Sequence, residues 1–418
     1  MAPVCSAPQQ NDPPTCICLI GAGTVGRAIL EVHLQHHFDV VLVDARQDAL
    51  IAACNLVSSA YPSHRIEATE PVVAQMPAAK FTTGQSTSPG LVIESIPEHL
   101  LMKHALFFEL GQRLGPDVIF ASNTSNLRIA DVFKPMGNDP RCCGLHFFMP
   151  VGDRPLVECV PTPTTSPQTL AICQAHALRI DKQTLFVQDS PGFVVNRLLA
   201  PYLNQSLLLL EHGVDASHLA RAAGSFGMPM SPLKLIDLIG LRTAFDSGRV
   251  FWQSFPERLD PASLLPGMLK ARRKSGGETS GGETSGFLES DALSRTARQV
   301  VAFYRRNQER HWSLDEVTEL IAIPMWIEAA ELLATGVVSD RASIELAMSG
   351  GLGYVSPLGF FGFFDALGRD VVLRHLQSSS GAFRALRAPA GLVAYLEAGL
   401  QPQEAVIRYA EHRQATRQ

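Results

Sequence analysis

The sequence predicts an α/β domain at its amino end, followed by an all-α region that contains two repeated helical domains. Three observations lead to this fold class. Near the amino end, a strand, a glycine-rich turn with its helix, and a second strand follow one another. After residue 190 the alternation that is typical of strands stops, and long apolar segments suited to helices begin. Within those segments, one long stretch occurs twice.

The predicted boundaries follow these changes in pattern. Residues 1–14, which are rich in proline, form a flexible tail, and residues 15–190 form the α/β domain. The first helical domain spans 191–268. A Gly/Ser-rich linker loop spans 269–290, and the second helical domain spans 291–418.

The composition favours a multidomain globular protein with a small-molecule partner. The 418 residues are 46% hydrophobic and 18% charged, which is sufficient for two cores. A formal charge of -5 offers no broad attraction for nucleic acid or an anionic membrane surface. The amino end lacks the pattern of a secretory signal, and no stretch has the length of a membrane span. We therefore expect a cytoplasmic protein.

The cysteines predict reduced thiols in packed segments. The eight cysteines lie mostly within apolar runs, so a disulfide scaffold is not expected in a chain of this length. Cys16 and Cys18 share one face of a predicted strand, but no second pair stands at zinc spacing. We expect these two thiols to serve packing, and no metal site is predicted.

The glycine-rich turn follows the predicted strand CICLI and opens the helix of GAGTVGRAILEVHLQ. Gly21 permits the tight turn, Gly23 lets backbone N–H groups approach a pyrophosphate, and Gly26 lets the helix pack on the strand. The N-terminus of the helix then faces the phosphates. This pattern indicates a Rossmann-type dinucleotide-binding domain. The predicted cofactor contacts in the turn are Gly21, Ala22, Gly23, Thr24, Val25 and Gly26.

Asp44 closes the second strand, VVLVD. A carboxylate at this place accepts hydrogen bonds from the adenosine ribose, and it would repel a 2'-phosphate, so NAD is preferred over NADP. Arg46 keeps NADP open as the second possibility. The alternative is an ordinary strand–turn–helix unit with a coincidental aspartate.

Polar residues follow two further predicted strands. Glu98 and Lys103 come after VIESIP and are about 140° apart on a helix, too far to pair well. They either contact different parts of a ligand or are solvated. The sequence SNTS at 122–125 follows the apolar run VIFA. It is either a ligand-facing turn or a turn whose side chains bond to its own backbone.

His146 lies near the carboxyl end of an apolar strand, where open α/β sheets bind their ligands. Histidine is the natural base for removing a hydroxyl proton as hydride leaves the carbon. Glu158 shares a strand face with Leu156 and Val160, where a carboxylate needs a partner such as an imidazolium. The alternatives are a histidine satisfied in the core and a surface pair between Glu158 and Arg154.

Six motifs occur in a fixed order: GAGTVG, VIESIPE, ASNTSNL, GLHFFMPV, LVECV and DSPGFVVNRLLAPYLNQ. Together they closely resemble the L-3-hydroxyacyl-CoA dehydrogenase family of fatty-acid β-oxidation, from residue 16 over nearly the whole chain. The resemblance implies that His146 is the catalytic base and that Glu158 orients and charges it. It also implies that Ser125 contacts the substrate oxygen and that Asn196 completes the polar site from the second domain.

The same resemblance implies cofactor contacts at Glu98 and Lys103. It makes SNTS a ligand-facing turn, with Ser125 and Asn123 as the hydrogen-bonding groups. Two departures bear on the substrate. Relatives carry a lysine-bearing hairpin that grips CoA, whereas this chain has no lysine from 45 to 79 and offers only His64 and Arg65. The other departure is a pair of substitutions in family motifs, Met149 for a common asparagine and Ser231 for a common glycine.

The helical region contains an internal repeat. Gly213-Val214 matches Gly336-Val337, and Ser231-Pro232 matches Ser356-Pro357. Single-repeat members of the family form homodimers through this domain, and the multifunctional β-oxidation enzymes resemble this chain in carrying two copies. The second copy lacks the asparagine of PGFVVNR, so we expect an intrachain pseudo-dimer with one site. A homodimer of whole chains stays open.

Between the two copies, the duplicated SGGET predicts a solvated, flexible linker. The family has a shorter basic stretch at this place, near the cofactor phosphates. Lys274 is therefore the alternative candidate for a phosphate contact.

The predicted reaction is oxidation of an L-3-hydroxyacyl-CoA by NAD. The 3-hydroxyl bonds to Ser125 and His146, and His146 takes its proton as the C3 hydride passes to the nicotinamide. Glu158 stabilises the imidazolium. One alternative is a dehydrogenase of a related 3-hydroxy acid or a carrier-protein thioester. The other is a non-catalytic NAD-binding protein.

Overall fold

A computed structural model describes residues 16–61, 66–69, 90–137, 139–274, 286–306 and 310–417. The chain divides into two compact units, Met1–Ser190 and Pro191–Gln418. The sequence loses its strand pattern at the same position. The predicted tail at 1–14, the candidates His64 and Arg65, and the SGGET repeat lie outside the described residues.

The amino-terminal unit contains one mixed sheet in its described part. Its strands are β1 (Cys16–Ile20), β2 (Asp39–Val43), β3 (Ile66–Thr69), β4 (Leu91–Glu94), β5 (Ile119–Ser122), β6 (Cys142–Phe147), β7 (Leu156–Pro161) and β8 (Gln183–Phe186). The helices between them are α1 (Thr24–Gln35), α2 (Gln47–Ala60), α3 (Leu100–Arg113), α4 (Ile129–Val132) and α5 (Pro167–Arg179).

The strand order is β3-β2-β1-β4-β5-β6-β7-β8. All pairs are parallel except β6 with β7. The strands β4 and β5 are buried at every position, which is typical of the interior of a parallel sheet. The chain moves outward from β1 to β3 and then returns to β4 on the other side of β1. Open α/β sheets bind ligands at such a reversal, outside the carboxyl ends of the strands.

The carboxyl-terminal unit is helical. The helices of the first copy are α6 (Val195–Glu211), α7 (Ala216–Phe226), α8 (Pro232–Ile239), α9 (Leu241–Ser254) and α10 (Leu264–Lys274). α11 (Arg295–Tyr304), which lies within the predicted second domain, packs on α10. The second copy contains α12 (Leu314–Ala334), α13 (Arg341–Leu346) with a following π-helical turn, α14 (Gly359–Leu367), α15 (Arg369–Ser378), α16 (Ala390–Glu397) and α17 (Pro402–Ala415).

The backbone confirms that the two copies correspond. A proline lies inside each long helix, Pro201 in α6 and Pro324 in α12. The connections between α8 and α9 and between α14 and α15 are single glycines, Gly240 and Gly368, with nearly the same left-handed geometry. That geometry favours glycine because it has no Cβ. The two copies pack on each other through α6 and α12.

The predicted linker at 269–290 is wrong at both ends. α10 continues to Lys274, because Leu, Met, Lys, Ala and Arg are strong helix formers. On the other side, a short hairpin of β9 (Leu288–Glu289) and β10 (Ala292–Leu293) interrupts the otherwise helical unit. The carboxylate of Asp237 accepts hydrogen bonds from the N–H groups of Phe287 and Leu288 at 2.7 and 2.8 Å and fixes the start of this hairpin.

None of the described helices is long and apolar enough to span a membrane. Within the same residues, no group of three or more His, Cys, Asp or Glu side chains is arranged to hold a metal ion. Cys18 is fully buried in β1, and burial raises the pKa of its thiol to about 12. A thiol held neutral in this way fits the packing role expected for it.

Candidate active site

The glycine-rich turn joins β1 to α1 where the strand order reverses. Gly21 has a φ of 111°, and a side chain there would overlap the backbone of Ser95. A side chain at Gly26 would overlap the carbonyl oxygen of Gly21. Gly23 differs, since no described atom beyond its chain neighbours lies within 4 Å of a Cβ placed on it. The turn is therefore closed towards the sheet and open at Gly23.

α1 begins directly after this opening. Gly23 caps the helix without a side chain, and its first turn contains no acidic residue. The free N–H groups and the helix dipole at such an end favour a phosphate. Thr24 is exposed and Val25 is half-buried in this first turn.

Asp44 follows β2 and reaches back to the glycine-rich turn. Its carboxylate accepts hydrogen bonds from the N–H groups of Ala22 at 2.6 Å and Arg46 at 2.7 Å. The Arg46 side chain is 62% exposed, and its Nε lies 3.9 Å from the same carboxylate. A ribose would meet a carboxylate that the turn has already oriented, and a 2'-phosphate would meet its negative charge. These residues fit NAD.

The prediction that Glu98 and Lys103 cannot pair is wrong. Lys103 Nζ lies 3.5 Å from Glu98 Oε2. The reason is that α3 begins only at Leu100, so the angular spacing of a helix does not apply to Glu98. Lys103 is also not solvated, because its side chain is 1% exposed and its ammonium donates to Glu94 Oε1 at 2.5 Å and to the carbonyl oxygen of Ile96 at 3.3 Å.

Glu98 holds the SNTS turn. Its Oε1 accepts hydrogen bonds from the Thr124 hydroxyl at 2.6 Å and from the N–H groups of Ser125 and Asn126 at 3.1 and 3.0 Å. The Thr124 hydroxyl oxygen also accepts from the N–H of Leu127 at 3.1 Å. The interpretation of SNTS as a turn whose side chain bonds to its own backbone is therefore confirmed at Thr124, and the ligand-facing interpretation stays a prediction. A carboxylate and a local hydroxyl fix the turn, and half-buried Ser125 is held at the carboxyl edge of the sheet.

Asn123 connects three neighbouring strand ends. Its amide donates to the Ser95 hydroxyl at 3.2 Å, beyond β4, and its Oδ1 accepts from the N–H of Phe147 at 2.8 Å, at the end of β6. Ser122 donates to Glu94 Oε2 at 2.6 Å. The side chain of Asn123 thus orders the edge at which His146 lies.

His146 and Glu158 are direct partners in the antiparallel pairing of β6 with β7. His146 Nδ1 lies 2.8 Å from Glu158 Oε2, and the two side chains are 6% and 0% exposed. The expected imidazole–carboxylate pair is therefore present, and the alternative surface pair of Glu158 with Arg154 is wrong. The Phe148 ring packs edge-on against the imidazole, with centroids 4.7 Å apart. The strand register thus places the two side chains opposite each other.

Asn196 lies half-buried in the first turn of α6, in the carboxyl-terminal unit. It follows Gly192 and Phe193, which have φ values of 73° and 46°. A positive φ is uncommon for phenylalanine, and it indicates that the surrounding structure fixes the turn before the helix. Its partnership with His146 stays a prediction.

Three further residues of the family motifs have contacts that the sequence did not predict. Glu94 is fully buried, and its carboxylate accepts hydrogen bonds from Lys103, from Ser122 and, at 2.7 Å, from the N–H of Ile96. Asp189 accepts from the N–H groups at the start of α4, and burial raises the pKa of its carboxyl. Arg197 is buried beside Asn196, and burial lowers the pKa of its guanidinium. An acidic residue that ends an apolar strand was the available signal for Glu94.

Comparison with known proteins gives one consistent result. Residues 16–190 match the NAD binding domain of 3-hydroxyacyl-CoA dehydrogenase, and NAD is the cofactor of that domain. Residues 192–284 and 317–409 each match the C-terminal domain of the same family. The duplication predicted from the sequence is confirmed.

Individual proteins of the same family are also similar to this chain. A glyoxysomal fatty acid beta-oxidation multifunctional protein of Cucumis sativus is 28% identical over 90% of this chain, which spans about half (54%) of that protein. The crystal structure of an Escherichia coli 3-hydroxybutyryl-CoA dehydrogenase shares the fold, with a TM-score of 0.70 and 22% identity over 94% of this chain and 98% of that one. A Ralstonia eutropha (S)-3-hydroxybutyryl-CoA dehydrogenase is 27% identical, covers 63% of this chain and 97% of its own, and has a TM-score of 0.54. The family models span most of this chain, which therefore belongs to the 3-hydroxyacyl-CoA dehydrogenase family.

Proposed function

We propose that this protein catalyses the reversible, NAD-dependent oxidation of an L-3-hydroxyacyl-CoA to the 3-oxoacyl-CoA. The observation that carries the proposal is the buried His146–Glu158 pair at the carboxyl edge of a sheet that belongs to an NAD-binding domain. Within the described residues of that unit, the open glycine turn follows β1, SNTS begins at the last residue of β5 and His146 is the penultimate residue of β6, all along one edge.

His146 is the proposed base. It removes the proton of the substrate's 3-hydroxyl, and Glu158 stabilises the imidazolium and holds the ring in one orientation. Ser125 donates to, or accepts from, the same substrate oxygen from its fixed turn. NAD, when bound, accepts the hydride from C3. In the reverse direction the imidazolium returns its proton to the carbonyl oxygen.

Asn196 is the proposed fourth polar group, contributed by the carboxyl-terminal unit. An amide can donate to a carbonyl oxygen that becomes negative during hydride transfer, which lowers the barrier. The support for this role is its place in the PGFVVNR motif and its half-buried position at the start of α6.

The proposed cofactor contacts fall into two groups. The turn from Gly21 to Gly26 and the carboxylate of Asp44 hold the pyrophosphate and the adenosine ribose. Glu98, 34% exposed, and Asn123 face the ligand at the neighbouring strand ends. Lys103 is buried, so its proposed contribution runs through the Glu98 carboxylate, which lies 3.5 Å from its ammonium.

The acyl carrier has a second candidate. The scarcity of basic residues between 45 and 79 keeps a related 3-hydroxy acid or a carrier-protein thioester as the alternative to CoA. NADH oxidation should be measured with acetoacetyl-CoA, with the same acyl group on a carrier protein, and with free acetoacetate. We expect the highest kcat/KM with acetoacetyl-CoA. A higher value with the carrier-bound substrate would reassign the carrier, and no oxidation with any of them would favour a non-catalytic NAD-binding protein.

The cytoplasmic location expected from the sequence stays a proposal, since the Cucumis sativus relative is named as glyoxysomal. A fluorescent fusion of the full chain, viewed together with an organelle marker, checks it. Diffuse fluorescence is the expected result, and a punctate pattern that coincides with the marker contradicts it.

A further inference from the structure

The two copies of the helical domain are joined by a buried ion pair. Arg197 of α6 is 1% exposed and Glu328 of α12 is 3% exposed, and the guanidinium Nε donates to Glu328 Oε1 at 2.6 Å. Arg258 also binds the Glu328 carboxylate, at 2.9 Å to each oxygen. Both guanidiniums lie against the ring of Phe255, 4.6 and 4.5 Å from its centroid. Glu328 therefore binds both of the guanidiniums that lie against Phe255.

When the two copies are aligned, the Arg197–Glu328 pair has no charged equivalent at the exchanged positions. Matching Pro201 with Pro324 also matches Arg197 with Leu320 and Gln205 with Glu328. Exchange of the copies therefore turns the Arg197–Glu328 pair into a Leu320–Gln205 pair, which carries no charge. Gln205 is fully buried, and among the described residues neither polar atom of its amide has a hydrogen-bond partner. The first copy contains the arginine, and the second contains the carboxylate.

The two copies also differ at the position before Arg197. Asn196 corresponds to Glu319 in the second copy. Glu319 Oε2 lies 2.5 Å from His375 Nε2, and the two side chains are 13% and 7% exposed. A carboxylate bonded to an imidazole of its own copy thus stands where the first copy has its candidate active-site amide. The second copy therefore has no equivalent of Asn196. It contributes Glu328, which binds the neighbouring Arg197.

The start of α6 depends on this anchor. The residue before the helix, Val194, has no side-chain oxygen to cap it, and the two residues before Val194 are left-handed. Arg197 is the residue whose N–H bonds back to the Gly192 carbonyl, at 3.2 Å, and whose side chain reaches Glu328. The position of the first turn, and of Asn196 within it, therefore follows the position of the Arg197 guanidinium.

We infer that Glu328, in the second helical copy, is a positioning residue for the active site, because it fixes Arg197 and through it the turn that carries Asn196. The inference rests on the proposed role of Asn196. It gives the duplicated domain a specific task, which is to provide the carboxylate that the first copy lacks at Gln205. Glu328 itself touches neither substrate nor cofactor in this mechanism.

The test is Glu328→Gln in the full chain, with acetoacetyl-CoA and NADH. We expect kcat to fall by about 100-fold, as for a small displacement of a reacting group. The dissociation constant for NADH should not change, because the glycine turn and Asp44 lie in the other unit. The matched control is Glu331→Gln. Glu331 lies on the same helix and binds Arg258 and Tyr409, each at 2.6 Å, whereas the Arg197 Nε donates to Glu328, so kcat should be unchanged.

A second variant separates positioning from folding. The double variant Arg197→Leu with Glu328→Gln installs the uncharged combination already present at Leu320 and Gln205. We expect it to regain the melting temperature of the wild type while kcat stays low. Recovery of kcat together with the melting temperature would overturn the inference, because the carboxylate would then serve stability alone. Wild-type kcat in Glu328→Gln would overturn it as well.

Asn196→Ala distinguishes the two proposals. If Asn196→Ala retains wild-type kcat, the proposed role of Asn196 fails, whatever Glu328→Gln does. If Asn196→Ala loses kcat and Glu328→Gln does not, the role of Asn196 stands and the role of Glu328 fails.

Discussion

Each unit of this protein contains a buried imidazole–carboxylate pair, and the two pairs differ in what surrounds them. His146 and Glu158 lie 2.8 Å apart across neighbouring strands, and His375 and Glu319 lie 2.5 Å apart between α15 and α12. Both histidines are 5% exposed as residues. Distance and burial alone therefore do not distinguish a catalytic pair from a structural one.

The different roles proposed for the two pairs rest on the neighbouring groups. The second nitrogen of His375 faces the hydroxyl of Ser379 at 3.4 Å, one helical turn away, so both ring nitrogens bond within the fold. His146 lies instead at a carboxyl edge shared with the SNTS turn, in the NAD-binding domain of a dehydrogenase family. A histidine–carboxylate pair indicates a base only where the fold brings a ligand to it.

The largest expected effect belongs to His146→Gln. Without the base, we expect kcat with an L-3-hydroxyacyl-CoA to fall by about 1,000-fold or more. NADH should bind as before, since the cofactor turn is untouched. Steady-state kinetics and a fluorescence titration with NADH measure the two quantities. The control is His375→Gln, which should keep its kcat. If His146→Gln turned over substrate at the normal rate but bound NADH poorly, the proposed role of His146 would be refuted.

The next largest effect is expected for Glu158→Gln. The amide cannot neutralise the imidazolium, so we expect kcat to fall by about 100-fold. Glu319→Gln removes the matching carboxylate of the other pair and should leave kcat unchanged. The same kinetic assay compares the two variants, with circular dichroism to verify that both are folded. Equal activity in the two variants would mean that the pairs do not differ in function.

For the helical pair the expected effect is on stability. His375→Leu removes a buried bond to a charged group and leaves Glu319 without this partner, so the free energy of unfolding should fall by about 1–3 kcal/mol. Urea denaturation measures this change. A variant that unfolds like the wild type but turns over slowly would contradict a purely structural role.

A third buried pair lacks a carboxylate and predicts a smaller, pH-dependent effect. His33 Nε2 lies 2.9 Å from His176 Nε2, and both side chains are fully buried. Burial lowers the pKa of His33 from 6.5 to about 4 and lowers the pKa of His176 as well. Between pH 4 and pH 6.5 the unfolded chain thus binds more protons than the folded one. The stabilising effect of neutral His33 is complete above pH 6.5 and is lost as the pH falls towards 4.

Urea denaturation at pH 7 and pH 5 tests this prediction. Each excess proton lowers the free energy of unfolding by up to about 1.4 kcal/mol per pH unit. The double variant His33→Leu with His176→Leu should lose less stability over this interval than the wild type. An equal loss in the two proteins would show that other groups cause it.

Much of the fold and part of the site could be predicted from the sequence. The spacing of Gly21, Gly23 and Gly26 and the aspartate that ends β2 predict the dinucleotide turn, because their effects are local. His146 and Glu158 could be proposed as partners because each is polar on an apolar strand. The linker prediction was wrong at α10, where composition was given more weight than helix propensity.

The sequence by itself determined the order of the elements, the cofactor turn and the duplication, since periodicity and backbone conformation depend on neighbours along the chain. Only the tertiary structure decided which side chains meet. Lys103 contacts Glu98 because α3 begins only at Leu100, and Glu94 accepts hydrogen bonds from α3 and from the end of β5. Glu328 binds Arg197, which lies 131 residues away along the chain. Such contacts depend on how elements pack, and no local pattern in the sequence records that packing.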